Sequence, residues 1–487
     1  MTSPSFQDIE SFPENARKAL QDEPLRAAVR HATDLIHDRR DKAVEQVPEW
    51  QELRARAKAV KAGTLARLDH WLELFERKAS EAGTQVHWAE DDLEANRIVL
   101  EIAERSGAKR LVKSKSMTTE ETGLNHALEG EGLHVVETDL GEYIIQLAGE
   151  TPSHIIAPAI HKSRDSIGDL FQKTLNVEKT NDPDELTKLA RIRLREEFAN
   201  ADIGVSGANF AIAETGSFLV LENEGNARLC TSLPRIHIAM IGIEKVIPRL
   251  SDLEVFLRLL PRSGTGQHMT SYQSLFTGPK REGGEGPDEL HVILLDNGRS
   301  SMLGDSLTRE SLACIRCGAC LNICPVYRQI GGHAYGAVYP GPIGSVITPM
   351  LGDMEKARHL PFASSLCGAC RDVCPVGIDI PSLLLRLRAK IRSTPGAGRK
   401  RFEALGFRVW ASMMSGPKRY GLFAAMLSLA RPLIAWPIAR RTLVRFVPPL
   451  AAWLAARELR APAQTSFRSQ WSARTTTKVD PQKQGRA

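Results

Sequence analysis

Seven of the chain's eight cysteines fall between Cys314 and Cys374, and their spacing constrains the fold more than any other feature of the sequence. Cys314, Cys317, Cys320 and Cys324 form C-x-x-C-x-x-C-x-x-x-C before Pro325; Cys367, Cys370 and Cys374 form C-x-x-C-x-x-x-C before Pro375. A tight turn of this kind wraps three thiolates around the corners of one iron–sulfur cubane, while the helix that follows carries the fourth to a second cluster. C-x-x-C is also half of a zinc site, but a doubled run ending in proline fits two [4Fe-4S] clusters better. Crossed ligation then assigns Cys314, Cys317, Cys320 and Cys374 to cluster one and Cys324, Cys367 and Cys370 to cluster two. Cluster two is one thiolate short, because Ser364 stands where its first cysteine would be. Serine or water on the fourth iron, a three-iron [3Fe-4S] cluster, or a ligand from outside would complete it. A labile four-iron cluster is the favoured expectation.

Eight cysteines in 487 residues are too sparse for a disulfide scaffold, and ligand cysteines fit a reducing compartment. The opening MTSPSFQDIESFPEN has acidic residues and prolines where a secretory signal needs a basic start and an apolar core. The apolar run near 420–456 is broken by Arg431, Pro432 and Pro437, short of the about 20 residues a spanning helix needs. A cytoplasmic protein is expected, with peripheral contact at the inner face of the membrane as the nearest approach to the bilayer.

Charge supports that last point. Residues 386–487 hold 21 Lys/Arg against 3 Asp/Glu, a net +18, whereas residues 1–385 are −12. An acidic body therefore carries a strongly basic end, which suits a negatively charged partner or surface. Trp410, Tyr420, Phe423, Trp436, Phe446 and Trp453 interleave with arginine there, but Leu, Ala and Pro dominate. That pattern is closer to an amphipathic interface than to a base-stacking surface, so no nucleic acid is expected.

Periodicity divides the chain into four parts. Residues 1–82 repeat apolar positions at three and four, as at Leu65, Leu68, Leu72 and Phe75, and read as helices. Residues 83–302 alternate short strands with helices, QVHWA, DDLEANRIVLEIAERSG, RLVKS, TTEETGLNHALEGEG and HVVETD, the spacing of βαβ units on a largely parallel sheet. A helical stretch then runs to about Ala201, followed by dense β text, a Gly-rich loop over 263–289 and a last strand in HVILLDNG. Residues 303–395 form the cysteine domain, in which GGHAYGAVYPGPIGSVITPML reads as a covering loop and 381–393 as a helix. Residues 396–487 are a basic helical extension whose end reads as disordered.

No G-x-G-x-x-G follows a strand and no phosphate-binding P-loop occurs, so no flavin, nicotinamide or nucleotide fingerprint is present. His154, His161, His237 and His268 lack metal-ligand spacing, and Cys230, alone in an apolar strand context, reads as a buried core thiol. Two groups in the body are candidates for ligand binding. Glu214, Thr215, Gly216 and Ser217, with Glu222, Asn223, Asn226 and Arg228, sit at strand ends and turns, where α/β sheets place ligands; a plain glycine turn is the rival reading of AETGS. Lys113 and Lys115, between a strand and a helix, are suited to a carboxylate or phosphate or, equally, to solvent. No residue is assigned as catalytic.

The segment GVSGANFAIAETGSFLVLENEGNARLCTSLPRIHIAMIG, joined to CIRCGACLNICP and SLCGACRDVCP, closely resembles the LUD family of iron–sulfur proteins, and within it the lactate-utilization B type. The resemblance runs over nearly the whole chain, including the basic tail. It implies an α/β body of the NagB/RpiA/CoA-transferase type followed by an α-helical ferredoxin-like domain. It also implies an electron-transfer role in oxidation of L-lactate to pyruvate, beside companion lactate-utilization proteins and an electron acceptor of the respiratory chain. In related CoA transferases a glutamate is the nucleophile, which makes Glu214 a tempting analogue. Two rival functions remain: a LUD-domain oxidoreductase that itself oxidises a 2-hydroxy acid, and a regulatory protein whose clusters sense oxygen or iron.

Overall fold

The computed structural model describes residues 9–393, 401–429, 431, 463 and 465–477. The chain separates into two compact units, Met1–Thr394 and Pro395–Ala487. Within the first, a six-stranded sheet runs in the order β1-β10-β7-β4-β2-β3, from β1 (Gln85–Ala89), β2 (Arg110–Lys113), β3 (His134–Glu137), β4 (Ile203–Gly207), β7 (Ile236–Gly242) and β10 (Glu289–Leu295). Every pairing in it is parallel. Both faces are covered, as parallel sheets require. Leu290, Val292 and Leu294 of β10 join the core shared with the cysteine region, while Ile293 and Leu295 face a second core beneath the helix Asp92–Ser106.

Chain direction across the sheet reverses between β2 and β4: β3 lies outward of β2, whereas β7 and β10 continue on the other side of β4. Such a switch point leaves a crevice at the carboxyl ends of the strands. A smaller sheet, β8-β5-β6-β9, roofs this edge, built from β5 (Phe210–Ile212), β6 (Ser217–Glu222), β8 (Val246–Ile247) and β9 (Tyr272–Phe276). Strand β9 corrects the expectation of an unbroken loop over 263–289, because YQSLF pairs antiparallel with β6.

Two further corrections follow from burial. Cys230 lies in the helix Asn226–Ser232, not a strand, and the carbonyl of Cys230 presses on β4 where a Cβ on Gly204 would meet it at 1.7 Å. Its thiol is buried, as expected, 3.2 Å from Thr138 Oγ1. In the presumed covering loop, Gly341–Leu351 is a helix with Pro342 in its first turn; the segment carries no charge because the helix is buried, from Gly341 to Pro349. The helices Glu23–Glu45 and Trp50–Leu65 pack on the cysteine region. Arg40, Arg54 and Lys58 donate to the carbonyls of Val373, Cys374 and Gly377.

The second unit is described through the helices Arg401–Met414, Pro417–Leu429 and Phe467–Thr477. Trp410 and Leu422 are exposed there. Trp436, Phe446, Trp453 and the last ten residues lie outside the described residues. Among the described residues no helix is long and apolar enough to cross a membrane.

Candidate functional site

Two loops with one backbone design present the cysteines. In each, a non-glycine residue in the left-handed region precedes a cysteine, Arg316 (φ 59°) before Cys317 and Leu366 (φ 56°) before Cys367, and a left-handed glycine follows, Gly318 or Gly368. The next residues open the short helices Ala319–Ile323 and Ala369–Asp372, which carry Cys320 and Cys370. The first residue of each loop accepts the same hydrogen bond: Cys314 Sγ from the Arg316 amide at 3.4 Å, Ser364 Oγ from the Leu366 amide at 3.1 Å. Ser364 thus holds the place in its loop that Cys314 holds in the other.

A cavity is lined by Cys314, Cys317, Cys320 and Cys374. Cys317 is pushed up by burial and then by the charges of Cys374 and Cys314. Cys324 senses Cys367, and Cys370, pushed up to about 12, does so by burial and then by Cys324 and Cys367. Thiols crowded in this way ionise together only beside a cationic centre, which is the fit expected of a metal cluster. Among the described residues no three cysteine sulfurs lie within 4.8 Å of one another.

Against the first cysteine loop lies a network of buried ions. Arg299, 1% exposed, donates from Nη1 and Nη2 to Glu121 at 2.8 and 2.9 Å and from Nε to Glu244 at 2.6 Å. Glu121 also accepts from Tyr339 Oη at 2.6 Å. Glu244 reaches Arg316 Nη2 at 3.3 Å, and the Arg316 guanidinium lies 4.7 Å from the Tyr339 ring centre. Lys61 donates to the Glu244 carbonyl. Burial alone would raise the Glu244 carboxyl, but Arg299, Arg316, Lys245 and Lys61 hold it down at about 2. The body and the cysteine loop are thereby locked through charges drawn from 61 to 339.

Beside this network, at the switch point of the sheet, is a second cavity of about 390 Å³. Ser114 and Lys115 line it from the end of β2, Asp139 from beyond β3, Asn209 from beyond β4, and Glu222, Asn223, Glu224 and Asn226 from the end of β6. Lys245 and Arg316 complete it. Burial, then Arg316, bring Lys245 down to about 8; burial, then Asp139, raise Glu224 to about 7.

The residues singled out in the sequence divide accordingly. Glu222, Asn223, Asn226 and Lys115 reach the cavity, with Lys115 bonded to the Ile156 carbonyl at 2.9 Å. Glu214 does not: its carboxylate accepts the Leu250 amide at 2.9 Å in a turn where Gly216 packs on Ala79. Lys113 is neither a solvated lysine nor a ligand for an anion; it is buried, 2.9 Å from Glu120 and 2.6 Å from Glu137. His154 is buried with Nε2 3.1 Å from Asn322 and Nδ1 accepting the amides of Ile156 and Ala157. His161 corrects the expectation of scattered histidines, since it meets His333 and Glu150 within 4.8 Å; Lys162 already pairs with that carboxylate. Sequence reasoning passed over Lys245, Arg316, Tyr339 and Glu224; only Arg316, inside the cysteine motif, carried a usable signal.

Comparison with known proteins matches these parts in order. The LUD domain family matches residues 72–295, the 4Fe-4S dicluster domain 310–378, and the C-terminal region of lactate utilisation protein B 386–476. Lactate utilization protein B of Shouchella clausii is 42% identical over 95% of this chain and 97% of its own, and that of Bacillus subtilis 40% over 98% of both. An electron transport protein of Escherichia coli, YkgF, uncharacterized by its name, is 41% identical over 94% of this chain and 95% of its own. The chain belongs to the lactate utilization protein B family, an iron–sulfur protein with a LUD α/β body and a 4Fe-4S dicluster domain.

Proposed function

We propose that this chain carries electrons during oxidation of L-lactate to pyruvate over two [4Fe-4S] clusters. The carrying observation is that Cys374, the last cysteine of the second motif, lines one cavity with Cys314, Cys317 and Cys320, while Cys324 of the first motif interacts with Cys367 and Cys370. When bound, the clusters would supply one-electron acceptors. Cys314, Cys317, Cys320 and Cys374 hold the first; Cys324, Cys367 and Cys370 hold the second, with Ser364 Oγ as its fourth donor. The LUD body, of the NagB/RpiA/CoA-transferase type, presents the clusters to companion lactate-utilization proteins. The basic end contacts an anionic membrane surface near a respiratory-chain acceptor. Electron paramagnetic resonance of the anaerobically purified protein after dithionite tests this reading: two interacting reduced clusters are expected, and absence of any cluster signal would overturn it.

A second reading, that the chain itself oxidises a 2-hydroxy acid, is favoured by one observation, the cavity next to the cysteine loop. Turnover of L-lactate with an artificial acceptor by this protein alone separates the two: turnover favours the enzyme, and none favours the carrier.

A further inference from the structure

The buried ion network does not balance. Arg299, Arg316, Lys245 and Lys61 face the carboxylates of Glu121 and Glu244, all of them buried or nearly so. Arg299 is bonded to both carboxylates and Lys61 to the Glu244 carbonyl, which leaves four cations against two carboxylates. Two of the four cations, Arg316 and Lys245, line the 390 Å³ cavity. Arg316, with its side chain 8% exposed, has a buried Nη1 with no hydrogen-bond partner. Lys245, 9% exposed, has no hydrogen bond or ion pair among the described residues. Buried positive charge in excess of its carboxylates is costly, and two such cations at the wall of a cavity, one with an unsatisfied N–H, are the preorganised form of an anion site.

The rest of the lining narrows the class of anion. Asp139, Glu222 and Glu224 gather at the ends of β3 and β6, where Glu224 senses the other two and Lys115. Lys245 instead senses Arg316, Glu244, Cys314 and Arg299. The cavity thus has a cationic side toward the cysteine loop and an acidic side away from it. A polyphosphate would meet repulsion from the acidic side, whereas a single carboxylate with a hydroxyl or oxo group would meet donors and acceptors at both. The wall itself supplies the link to the cysteines: Arg316 and Ile155 line this cavity and also the one formed by Cys314, Cys317, Cys320 and Cys374.

We infer that the cavity binds a small organic monocarboxylate through Lys245 and Arg316, and that its charge is felt across Arg316 by the centre those four cysteines hold. The binding half stands on the lining alone; the redox half rests on the electron-carrier reading. A negative charge at this wall favours the oxidised centre, so the carboxylate binds the oxidised protein more tightly and lowers the midpoint potential. By linkage the two effects are equal: a tenfold preference for the oxidised form corresponds to a fall of about 59 mV.

The test uses anaerobic, cluster-loaded full-length protein. Calorimetric titration with L-lactate, pyruvate and inorganic phosphate is paired with redox titration followed by electron paramagnetic resonance, with and without saturating carboxylate. The inference expects one-to-one binding of a monocarboxylate, weaker binding of phosphate, a lower midpoint for one cluster, and at least a tenfold loss of affinity in Lys245→Met. No carboxylate binding to protein with intact cluster signals would overturn the inference while leaving the carrier reading standing, and tighter binding of phosphate would overturn the assigned class. Binding with an unmoved midpoint would overturn the redox half. Missing cluster signals with binding retained would overturn the carrier reading and leave the anion site. Should Lys245→Met not fold, the wild-type titrations decide alone.

Discussion

Replacing Glu244 by glutamine removes a carboxylate on which the contact between body and cysteine loop turns. The side chain is 1% exposed and lies 2.6 Å from Arg299 Nε and 3.3 Å from Arg316 Nη2. Glutamine keeps the shape but leaves these guanidiniums, with Lys245 and Lys61, facing only Glu121. Removing one partner of a buried pair costs about 3–5 kcal/mol. The titration of Glu244 gives an independent figure. Its carboxyl lies at about 2 against an ordinary 4.5, a depression that corresponds to about 3 kcal/mol. The folded pKa is lowered, so that stabilisation is complete above about 4.5 and is lost as pH falls toward about 2. Urea unfolding of the two proteins, followed by tryptophan fluorescence, is therefore expected to differ by about 3 kcal/mol at pH 7, with the gap closing below pH 4.5. A difference under about 1 kcal/mol at pH 7, or a gap that widens in acid, would refute the reasoning.

Other outcomes follow from single residues. Ser364→Cys supplies a fourth thiolate where an oxygen now stands, and is expected to make cluster two more resistant to oxygen and to change its resonance; Ser364→Ala is expected to shift the spectrum the other way, toward a three-iron signal, and identical spectra for all three proteins would remove Ser364 as a donor. Cys374→Ser is expected to abolish cluster one and Cys370→Ser cluster two, read as separate losses in the dithionite-reduced spectrum; the opposite pairing would contradict crossed ligation. His237, 2.8 Å from Ser206 Oγ, is held down at about 3 by burial and then by His291. The unfolded chain takes up its proton below about 6.5 and the folded one does not, so wild type loses up to about 1.4 kcal/mol per pH unit between those values from this group. His237→Gln is expected to flatten that slope, and unchanged slopes in a pH series of urea midpoints would refute it.

Much of the candidate site was legible because its cysteines lie close in sequence. The spacing from Cys314 to Cys324 and from Cys367 to Cys374, and the gap at Ser364, needed no tertiary information. The parallel sheet was legible too, since buried strands such as IHIAMIG carry their own signal. The second cavity was not, because its cations are defined by distant partners: Arg316 meets Glu244, which meets Arg299, which meets Glu121. Lys113 looked like a loop lysine because Glu137, its closest partner, is 24 positions away on the neighbouring strand. Gly341–Leu351 lacked the polar face that marks a surface helix, so its helical state is set by surroundings that bury it. Strand β9 was hidden in Gly-rich text for the same kind of reason: β6 supplies its hydrogen bonds.

Quantifying iron and acid-labile sulfide per chain in anaerobically purified full-length protein tests the central claim most directly. Two four-iron clusters predict about eight of each, and about seven iron if cluster two has lost its labile corner. About four of each, or zinc without sulfide, would contradict the account.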